Sequence, residues 1–373
     1  MLIYGFDIFM RFVIINRHLR QTIGGSEIQC DLIAQGLHER GHDVIYIVPG
    51  KAFATLAIPY SIRHVKNNAD AIAEGVTAVR PDVVYWRYNK HHLRGVASSL
   101  AAAGIPMVFA VAHINDLLPW AVKPVHTTGL RGWVRQLRQR LQVRWEHSGF
   151  HYVQTLTTLN REFLSLSPVA DAHYIPNAMR AEAESFHWPR PYVAWVANIK
   201  PAKRPELFVE ATRVLAEHGI DGLMIGHIQS RGYDWLTDPQ RIPPNFHYLG
   251  SRTPSEVNGV LANSRLHVHT CQPEGFGNVF IQAWMQGRPS VSLEFDPCGY
   301  IAEQRLGAVA GGCINTFIRQ VVDWATHPER ADEVGKRAQV FARETFSVDT
   351  MVDRVERILE SVVRSAKNRV SDS

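Results

Sequence analysis

The sequence predicts an α/β protein with two domains, each built on a parallel β-sheet. Short apolar runs alternate with amphipathic helical patterns along the chain, which is typical of parallel strands joined by crossover helices. At 373 residues the chain is long enough for two domains that each bury a core. Residues 182–191 are polar, contain two prolines and follow no clear period, so they predict a linker. We place the domain boundary between residues 185 and 186.

The composition is that of a soluble globular protein. Apolar residues make up 46% and charged residues 20% of the chain, and no apolar run approaches the roughly 20 residues that cross a bilayer. The four cysteines are scattered without Cys-x-x-Cys spacing, which favours reduced thiols over disulfides or a zinc site. Residues 1–9 are too short and too weakly basic for a signal peptide, and Met10 is a candidate start. We therefore expect a cytoplasmic protein.

The net charge of +5 belongs to the first half of the chain. Residues 1–185 hold 19 basic against 14 acidic residues, whereas residues 186–373 hold 21 of each. Much of the excess lies in residues 123–146, where basic and apolar residues alternate at helical spacing. The basic residues there are Lys123, Arg131, Arg135, Arg138, Arg140 and Arg144.

Two interpretations of this basic amphipathic helix stay open. In the first, the basic side of the helix is solvated and its apolar side packs on an ordinary core. In the second, the helix docks on anionic lipid, which would make the protein peripheral on the inner face of the membrane. No recognisable nucleic-acid-binding module accompanies the charge, so nucleic acid is not predicted as a partner.

The first domain opens with a β-α-β pattern. A strand over residues 10–16 is followed by a helix that begins at Gly24-Gly25-Ser26-Glu27, with Ser26 as its predicted cap, and by a strand over residues 44–48. The turn lacks a Gly-x-Gly-x-x-Gly fingerprint, which argues against a nicotinamide or flavin site.

Further strands are predicted over residues 83–86, 107–112 and 151–158. Ligands of parallel sheets gather at the carboxyl ends of the strands, and His113 directly follows the strand that ends at residue 112. Arg87, His91 and His92 follow the preceding strand and are candidates for acceptor contacts.

The second domain continues the alternation. A strand over residues 192–197 leads through a basic loop, residues 198–205, into a helix over residues 206–218. Later strands are predicted over residues 223–225, 246–249 and 266–270, and later helices over residues 254–262, 314–325, 328–345 and 348–363.

The stretch from residue 266 to residue 293 organises the chain. A strand pattern breaks at a glycine loop that holds Glu274, Gly275 and Gly277, and a helical pattern follows, with Asn278 as its predicted cap. Glycines let a ligand approach the backbone closely, and the free N–H groups that open the helix attract an anion such as a diphosphate. Glu274 is expected to accept hydrogen bonds from neutral hydroxyl groups, as on a sugar.

His267 and His269 alternate with Val268 and therefore share one face of a sheet. No third ligand is suggested nearby, so we interpret them as core histidines and predict no metal site.

The glycine-loop string is specific enough to suggest a family. Glu274-Gly-Phe276-Gly, then Gln282-Ala283, then residues 287–291, Gly-Arg-Pro-Ser-Val, resemble the donor-site signature of retaining, GT-B-fold glycosyltransferases of family four. In that family the signature is a Glu, seven intervening residues and a second Glu that accepts from the nucleotide ribose. Here Gln282 occupies the second position, and its carbonyl oxygen could accept with weaker charge assistance.

The resemblance implies a fold and a set of roles for both domains. It implies two Rossmann-like domains with parallel sheets facing a central cleft: residues 1–185 for the acceptor, with a final helix over residues 348–366 packing back, and residues 186–347 for the donor. Lys203 aligns with the lysine that neutralises the donor phosphates, and Asn198 replaces the arginine usual five residues earlier. Lys200 or Arg204 could supply the missing charge.

The resemblance also implies roles for the Gly24-Gly25 turn and for one histidine. Gly24 and Gly25 would approach the donor diphosphate and the acceptor, and His113 would contact the transferred sugar. The predicted catalytic residues are thus Glu274, His113 and Lys203. The predicted donor-binding residues are Gly24, Gly25, Asn198, Gly275, Phe276, Gly277, Asn278 and Gln282.

The activity implied is transfer of a hexosyl unit from a nucleoside-diphosphate sugar to an acceptor hydroxyl with retention, in cell-surface polysaccharide or glycolipid synthesis. The acceptor would be a sugar or a lipid-linked molecule, and the reaction would need no metal and no cofactor besides the donor. Two alternatives stay open: a nucleotide-sugar 2-epimerase or phosphorylase of the same fold, and a non-catalytic sugar-nucleotide or membrane-binding relative.

Overall fold

The computed structural model describes residues 9–22, 24–54, 57–120, 129–272 and 274–371. The chain forms two compact units, one of Met1–Asn177 with Val348–Ser373 and one of Ala178–Ser347. Lys123, Pro273 and the residues before Phe9 lie outside the described ranges. No helix among the described residues is long and apolar enough to span a membrane.

The first unit is built on a parallel sheet of seven strands in the order β3-β2-β1-β4-β5-β6-β7. Val13 in the central strand pairs with Ile45 on one side and Val84 on the other. The strands are β1 (Arg11–Ile15), β2 (Asp43–Pro49), β3 (Ser61–Val65), β4 (Val83–Trp86), β5 (Met107–Val111), β6 (Thr155–Thr158) and β7 (Ala172–Tyr174). The helices are α1 (Gly25–Glu39), α2 (Ala69–Thr77), α3 (Leu93–Ala102), α4 (Gly129–His147) and α11 (Val348–Ser371).

Strand β3 and helix α2 are absent from the sequence prediction. The strand lies at the sheet edge with exposed or half-exposed residues throughout, so it lacks the apolar run of a buried strand. Helix α2 is short but well capped, since the Asn68 side chain accepts a hydrogen bond from the backbone N–H of Ala71 at 2.8 Å.

The final helix belongs to the first unit and lies against α1. Gly36 allows this close approach, because a Cβ at its position would lie 2.5 Å from Cγ2 of Val352. Glu356 of α11 forms an ion pair with Arg40 and lies 2.6 Å from Nε2 of His42. The chain therefore returns to its first unit after completing the second.

The second unit is built on a parallel sheet of six strands in the order β10-β9-β8-β11-β12-β13. Its strands are β8 (Tyr192–Val196), β9 (Asp221–Ile225), β10 (Phe246–Tyr248), β11 (His267–His269), β12 (Ser290–Ser292) and β13 (Gly307–Val309). Its helices are α5 (Pro205–Leu215), α6 (Pro254–Asn263), α7 (Asn278–Met285), α8 (Tyr300–Glu303), α9 (Ile314–Thr326) and α10 (Pro328–Phe346). All strand pairings described in both sheets are parallel, as predicted.

The polar segment predicted as a linker is fixed along the second unit. Asn258 on α6 donates from its side-chain nitrogen to the carbonyls of Arg180 at 3.0 Å and Glu182 at 2.8 Å, and the Glu184 N–H donates to the Ser255 carbonyl. The unit therefore starts at Ala178, eight residues before the boundary that composition suggested. A polar composition arises here because the segment is an extended surface strip with backbone partners.

Five of the apolar side chains described on α4 face outward, whereas Val143 is half-buried. Trp133 and Trp145 expose 61% and 62% of their surfaces, and Val134, Leu137 and Leu141 are exposed as well. Gly132, Gln136 and Gln139 occupy the less exposed side of the helix. The interpretation of an ordinary core face under these apolar residues is therefore wrong.

Candidate functional site

The second sheet has a topological switch point between β8 and β11. From β8 the chain continues to β9 and β10 on one side, whereas β11 leads to β12 and β13 on the other. The crossovers therefore diverge, and the loops that follow β8 and β11 flank a crevice at the carboxyl ends of the strands, where open parallel sheets bind ligands. These loops are residues 197–204 and 270–277, and both contain predicted site residues.

Hydrogen bonds tie the two loops together. The Thr270 hydroxyl donates to the Lys203 carbonyl at 2.6 Å and accepts from the Trp195 indole N–H at 2.9 Å. Arg204 Nε donates to the Thr270 carbonyl at 2.7 Å. Thr270 is fully buried, so these bonds hold the loops in one arrangement. No motif in the sequence points to Thr270, whose only signal is its place at the end of a strand.

The two loops bring Lys203 and Glu274 into a direct ion pair, although they are 71 residues apart in sequence. Their side chains are 15% and 20% exposed, so water screens the pair only partly. Burial works against the charge of Lys203, but the neighbouring Glu274 carboxylate outweighs it and raises the pKa of the ammonium. Each group thus neutralises the other, and a bound anion would compete with Glu274 for the lysine.

His269 and Cys271 complete a cluster around Glu274. His269 Nε2 lies 4.0 Å from Oε2 of Glu274, and the Cys271 thiol hydrogen-bonds with both Lys203 and Glu274. Burial drives the pKa of His269 well below its usual value, so the ring is neutral. Burial, reinforced by Glu274, raises the pKa of Cys271, which keeps the thiol protonated.

The reason for predicting no metal site was therefore wrong. It rested on the lack of a third ligand near His267 and His269, but the fold supplies Cys271 and Glu274 beside His269, with one ligand atom of each residue within 4.8 Å of the others.

Helix α7 begins at a glycine cap. Its N-cap is Gly277, with φ +76°, and no described side chain caps the helix, so the prediction that Asn278 is the cap is wrong. An L-residue at Gly277 would be strained, and its Cβ would lie 2.9 Å from Cδ2 of Phe280. Gly275 has open space in its Cβ direction. The Gly275 N–H donates to Oε1 of Glu274 at 3.3 Å, and the Phe280 N–H donates to the Gly277 carbonyl at 2.9 Å.

Three other predicted donor residues have different surroundings. The Phe276 side chain is buried, with its ring centroid 5.6 Å from that of Phe346. A contact of Phe276 with the donor would therefore involve its backbone. Gln282 is buried and donates from Nε2 to Oδ1 of Asn258 at 3.0 Å. Asn198 is exposed at the end of β8.

Of the two residues that could replace the missing arginine, Arg204 is already engaged by other groups. The Arg204 guanidinium is bound to the Thr270 carbonyl, and its Nη2 lies 3.5 Å from Oε2 of Glu294. Lys200 is exposed on the same loop and remains the better candidate for a second phosphate contact.

In the first unit, the predicted residues lie at carboxyl ends of strands. Gly24 is the N-cap of α1 and Gly25 its first residue, so the predicted cap, Ser26, is wrong; its hydroxyl instead accepts from the Asn16 side chain at 2.9 Å. The chain diverges between β1 and β4 in this sheet, and the α1 turn follows β1. Buried Arg87 follows β4 and donates to Oδ1 of Asn177 at 2.8 Å.

His113 is exposed at the end of β5 and caps a 3-10 turn, Ile114–Asp116. Its Nδ1 accepts the Asn115 N–H at 3.1 Å, and its own backbone N–H donates to Oδ2 of Asp116 at 2.9 Å. Because Nδ1 is an acceptor, the neutral ring carries its proton on Nε2 and can donate it to a ligand.

Residues 190–326 match the family described as glycosyl transferases group 1. The chain matches no curated protein by sequence. This family match covers the sheet and loops that hold Lys203 and Glu274.

Several solved structures share the fold. HepE from Anabaena, solved with UDP and glucose, is 16% identical with a TM-score of 0.70, and the match covers 94% of this chain and 100% of HepE. Sucrose-phosphate synthase from Thermosynechococcus elongatus is 12% identical with a TM-score of 0.75, over 95% and 100% of the two chains. WaaG, a glycosyltransferase involved in lipopolysaccharide biosynthesis, is 15% identical with a TM-score of 0.64, over 94% and 99%.

At 12–16% identity, the similarity to these solved structures supports the fold. The family match supports the assignment of residues 190–326. Together they agree with the resemblance that the glycine-loop motif carries: residues 190–326 match the group 1 glycosyl transferase family, and the chain has the two-unit GT-B fold.

Proposed function

We propose that this protein is a glycosyltransferase that moves a hexosyl unit from a nucleoside-diphosphate sugar to an acceptor hydroxyl with retention of configuration, and that it does so without a metal or another cofactor. The observation that carries the proposal is the Lys203–Glu274 pair at the switch point of the second sheet, beside the glycine-capped start of α7. HepE was solved with UDP and with UDP-glucose, which supports a donor of this class.

The Lys203–Glu274 pair can exchange partners when the donor binds. The diphosphate would take the Lys203 ammonium and the N–H groups that begin α7, and the released Glu274 carboxylate would accept hydrogen bonds from sugar hydroxyls. As the glycosidic bond breaks, negative charge grows on the departing phosphate, and the same groups stabilise it. Because the Lys203 ammonium and the N–H groups at the start of α7 supply positive charge to the phosphate, we propose a metal-independent reaction.

Retention is proposed through attack on the same face from which the diphosphate leaves. The departing phosphate oxygen then accepts the proton of the acceptor hydroxyl, so no protein nucleophile is required. His113 is proposed to donate its Nε2 proton to a sugar hydroxyl. Gln282 would meet the ribose through its Oε1, because its Nε2 is bound to Asn258.

We also propose that the acceptor belongs to cell-surface polysaccharide or glycolipid synthesis and that the protein sits peripherally on the cytoplasmic face of an anionic membrane. Helix α4 supports this part. It presents an outward apolar stripe at four-residue spacing, and its only acidic residue is Glu146. The stripe and its neighbouring basic residues are Trp133, Leu137, Leu141 and Trp145, with Arg131, Arg135, Arg138, Arg140 and Arg144.

A groove of about 540 Å³ lies against this stripe. It is lined by Trp120, Leu137, Arg140 and Leu141, and the Arg144 guanidinium lies 4.7 Å from the Trp120 ring centroid. Apolar rings beside guanidinium groups suit the boundary between acyl chains and anionic headgroups, where each arginine contributes about 1 kcal/mol.

Calorimetric titration with UDP, GDP, ADP, TDP and CMP in the absence of metal tests the donor site. We expect micromolar binding of one nucleotide, lost in Lys203→Ala and kept in Lys336→Ala, which removes an exposed charge on α10. Analysis of products with and without acceptor then separates transfer from epimerisation. Failure of all five nucleotides to bind would favour a non-catalytic relative, the alternative that Asn198 and Gln282 keep open as departures from the family pattern.

Vesicle sedimentation tests the membrane surface. We expect binding to phosphatidylglycerol vesicles and little to phosphatidylcholine, with a loss of roughly tenfold or more in Trp133→Ser/Trp145→Ser. Val340→Ser removes an apolar residue that is 58% exposed on α10 and is the matched control. Equal binding to both lipids would contradict the role of the arginines.

A further inference from the structure

We propose that His269, Cys271 and Glu274 form a binding site for a soft divalent cation such as Zn²⁺, and that the cation competes with Lys203 for Glu274 and thereby blocks the donor site. The binding part stands on the geometry of the cluster. The inhibition part rests on the proposed function, because it requires that Lys203 and Glu274 serve the donor.

The three residues offer the ligand set that Zn²⁺ prefers. One imidazole nitrogen, one thiol sulfur and one carboxylate oxygen lie within 4.8 Å of one another, close enough for one ion with small side-chain adjustments. Three protein ligands leave a fourth tetrahedral position for water. The cluster lies at the end of β11, and His269 and Cys271 are both buried.

His269 is already oriented as a metal ligand. The Ser292 hydroxyl lies 3.4 Å from Nδ1, and Nε2 is the nitrogen nearer to Glu274, 4.0 Å from its Oε2. Packing fixes the ring plane, since its centroid lies 4.5 Å from the Phe280 ring. A hydrogen bond at one ring nitrogen commonly orients the other nitrogen toward a metal.

The cation and the Lys203 ammonium exclude each other. Both need the Glu274 carboxylate and the Cys271 sulfur, and two positive groups within one small, largely buried cluster repel strongly. On binding, a bond forms between the cation and sulfur, the thiol proton leaves to solvent, and the Lys203 ammonium moves away from Glu274. The cation would then hold Glu274 away from a sugar and occupy the place where Lys203 meets phosphate.

Cobalt(II) is a suitable probe, because its bond to a thiolate gives a charge-transfer absorption that zinc lacks. The full-length protein, reduced with a phosphine instead of a thiol, is titrated with Co²⁺ and then with Zn²⁺. We expect about one Co²⁺ per chain with thiolate absorption, displaced by Zn²⁺. The absorption should disappear in Cys271→Ser and persist in Cys313→Ser, which removes the exposed cysteine at the start of α9.

Lys203→Ala separates this proposal from the proposed function. Removal of the competing ammonium should tighten Co²⁺ binding by roughly tenfold or more, whereas the donor proposal predicts that the same variant loses nucleotide binding. Thermal unfolding of each variant checks that it is folded, and His269→Gln serves as a second ligand variant should Cys271→Ser fail to fold.

Several results would overturn the inference. Absence of thiolate absorption, or absorption that vanishes in Cys313→Ser instead of Cys271→Ser, would remove the site. Weaker Co²⁺ binding in Lys203→Ala would remove the competition. Where transfer or nucleotide binding is measurable, Zn²⁺ should inhibit it competitively with the donor and a chelator should restore it; stimulation by Zn²⁺ would contradict the inhibitory role.

Discussion

Replacing Glu274 with glutamine should tighten nucleotide binding while slowing transfer. In the free protein the Glu274 carboxylate holds the Lys203 ammonium, and it would also repel a nearby diphosphate. Glu274→Gln removes both effects and preserves the size of the side chain. The variant therefore separates the binding of phosphate from the recognition of sugar.

The burial of the pair sets the magnitude. Two unit charges about 4 Å apart interact by about 4 kcal/mol at an effective dielectric constant near 20, and by about 1 kcal/mol when fully exposed. With Lys203 and Glu274 15% and 20% exposed, we take an intermediate gain of about 1.4 kcal/mol, which is a tenfold lower Kd. Transfer should fall by roughly tenfold or more, because a neutral amide accepts a sugar hydroxyl less well than a carboxylate.

Calorimetry with UDP measures the first effect, and mass spectrometry of the product measures the second. Glu333→Gln, which removes one exposed negative charge on α10, controls for net charge. Unchanged or weaker UDP binding in Glu274→Gln would show that Lys203 is not shared between the carboxylate and the phosphate.

Three further predictions concern the helix start, acid stability and metals. Gly277→Ala should lower the free energy of unfolding by about 1–2 kcal/mol in urea titrations, because Gly277 has a positive φ and lies close to the Phe280 ring. The control Gly275→Ala should lower it much less, because a Cβ at Gly275 would face open space. Equal losses in the two variants would contradict this geometry. Burial lowers the pKa of His18 from 6.5 to about 4, so the unfolded state takes up the proton first as the pH falls. The free energy of unfolding should therefore decrease by up to about 1.4 kcal/mol per pH unit between pH 6.5 and 4, an effect reduced in His18→Gln but not in the control His38→Gln, which replaces an exposed histidine. A chelator should leave transfer intact or raise it, and a loss of turnover would indicate a metal-dependent reaction.

Much of the fold could be predicted because its signals are local. Apolar runs and helical periodicity indicated the parallel α/β architecture, and the glycine loop indicated the place of Glu274. Helix caps were less predictable. Residue preference favours Ser or Asn over a nearby glycine as the N-cap, but the N-caps of α1 and α7 are Gly24 and Gly277. Edge strand β3 lacked a buried apolar run and gave no usable pattern.

Local patterns in the sequence account for the alternation of strands and helices, the basic character of α4 and the residue types at the donor loops. Which of those residues meet is a property of the tertiary structure. Strand order placed β8 beside β11, and this adjacency brought Lys203 to Glu274 and set His269 and Cys271 around them. It also decided that the apolar stripe of α4 faces outward. Periodicity in the sequence indicates which side of a helix or strand is apolar. What packs against that side depends on segments distant in the chain.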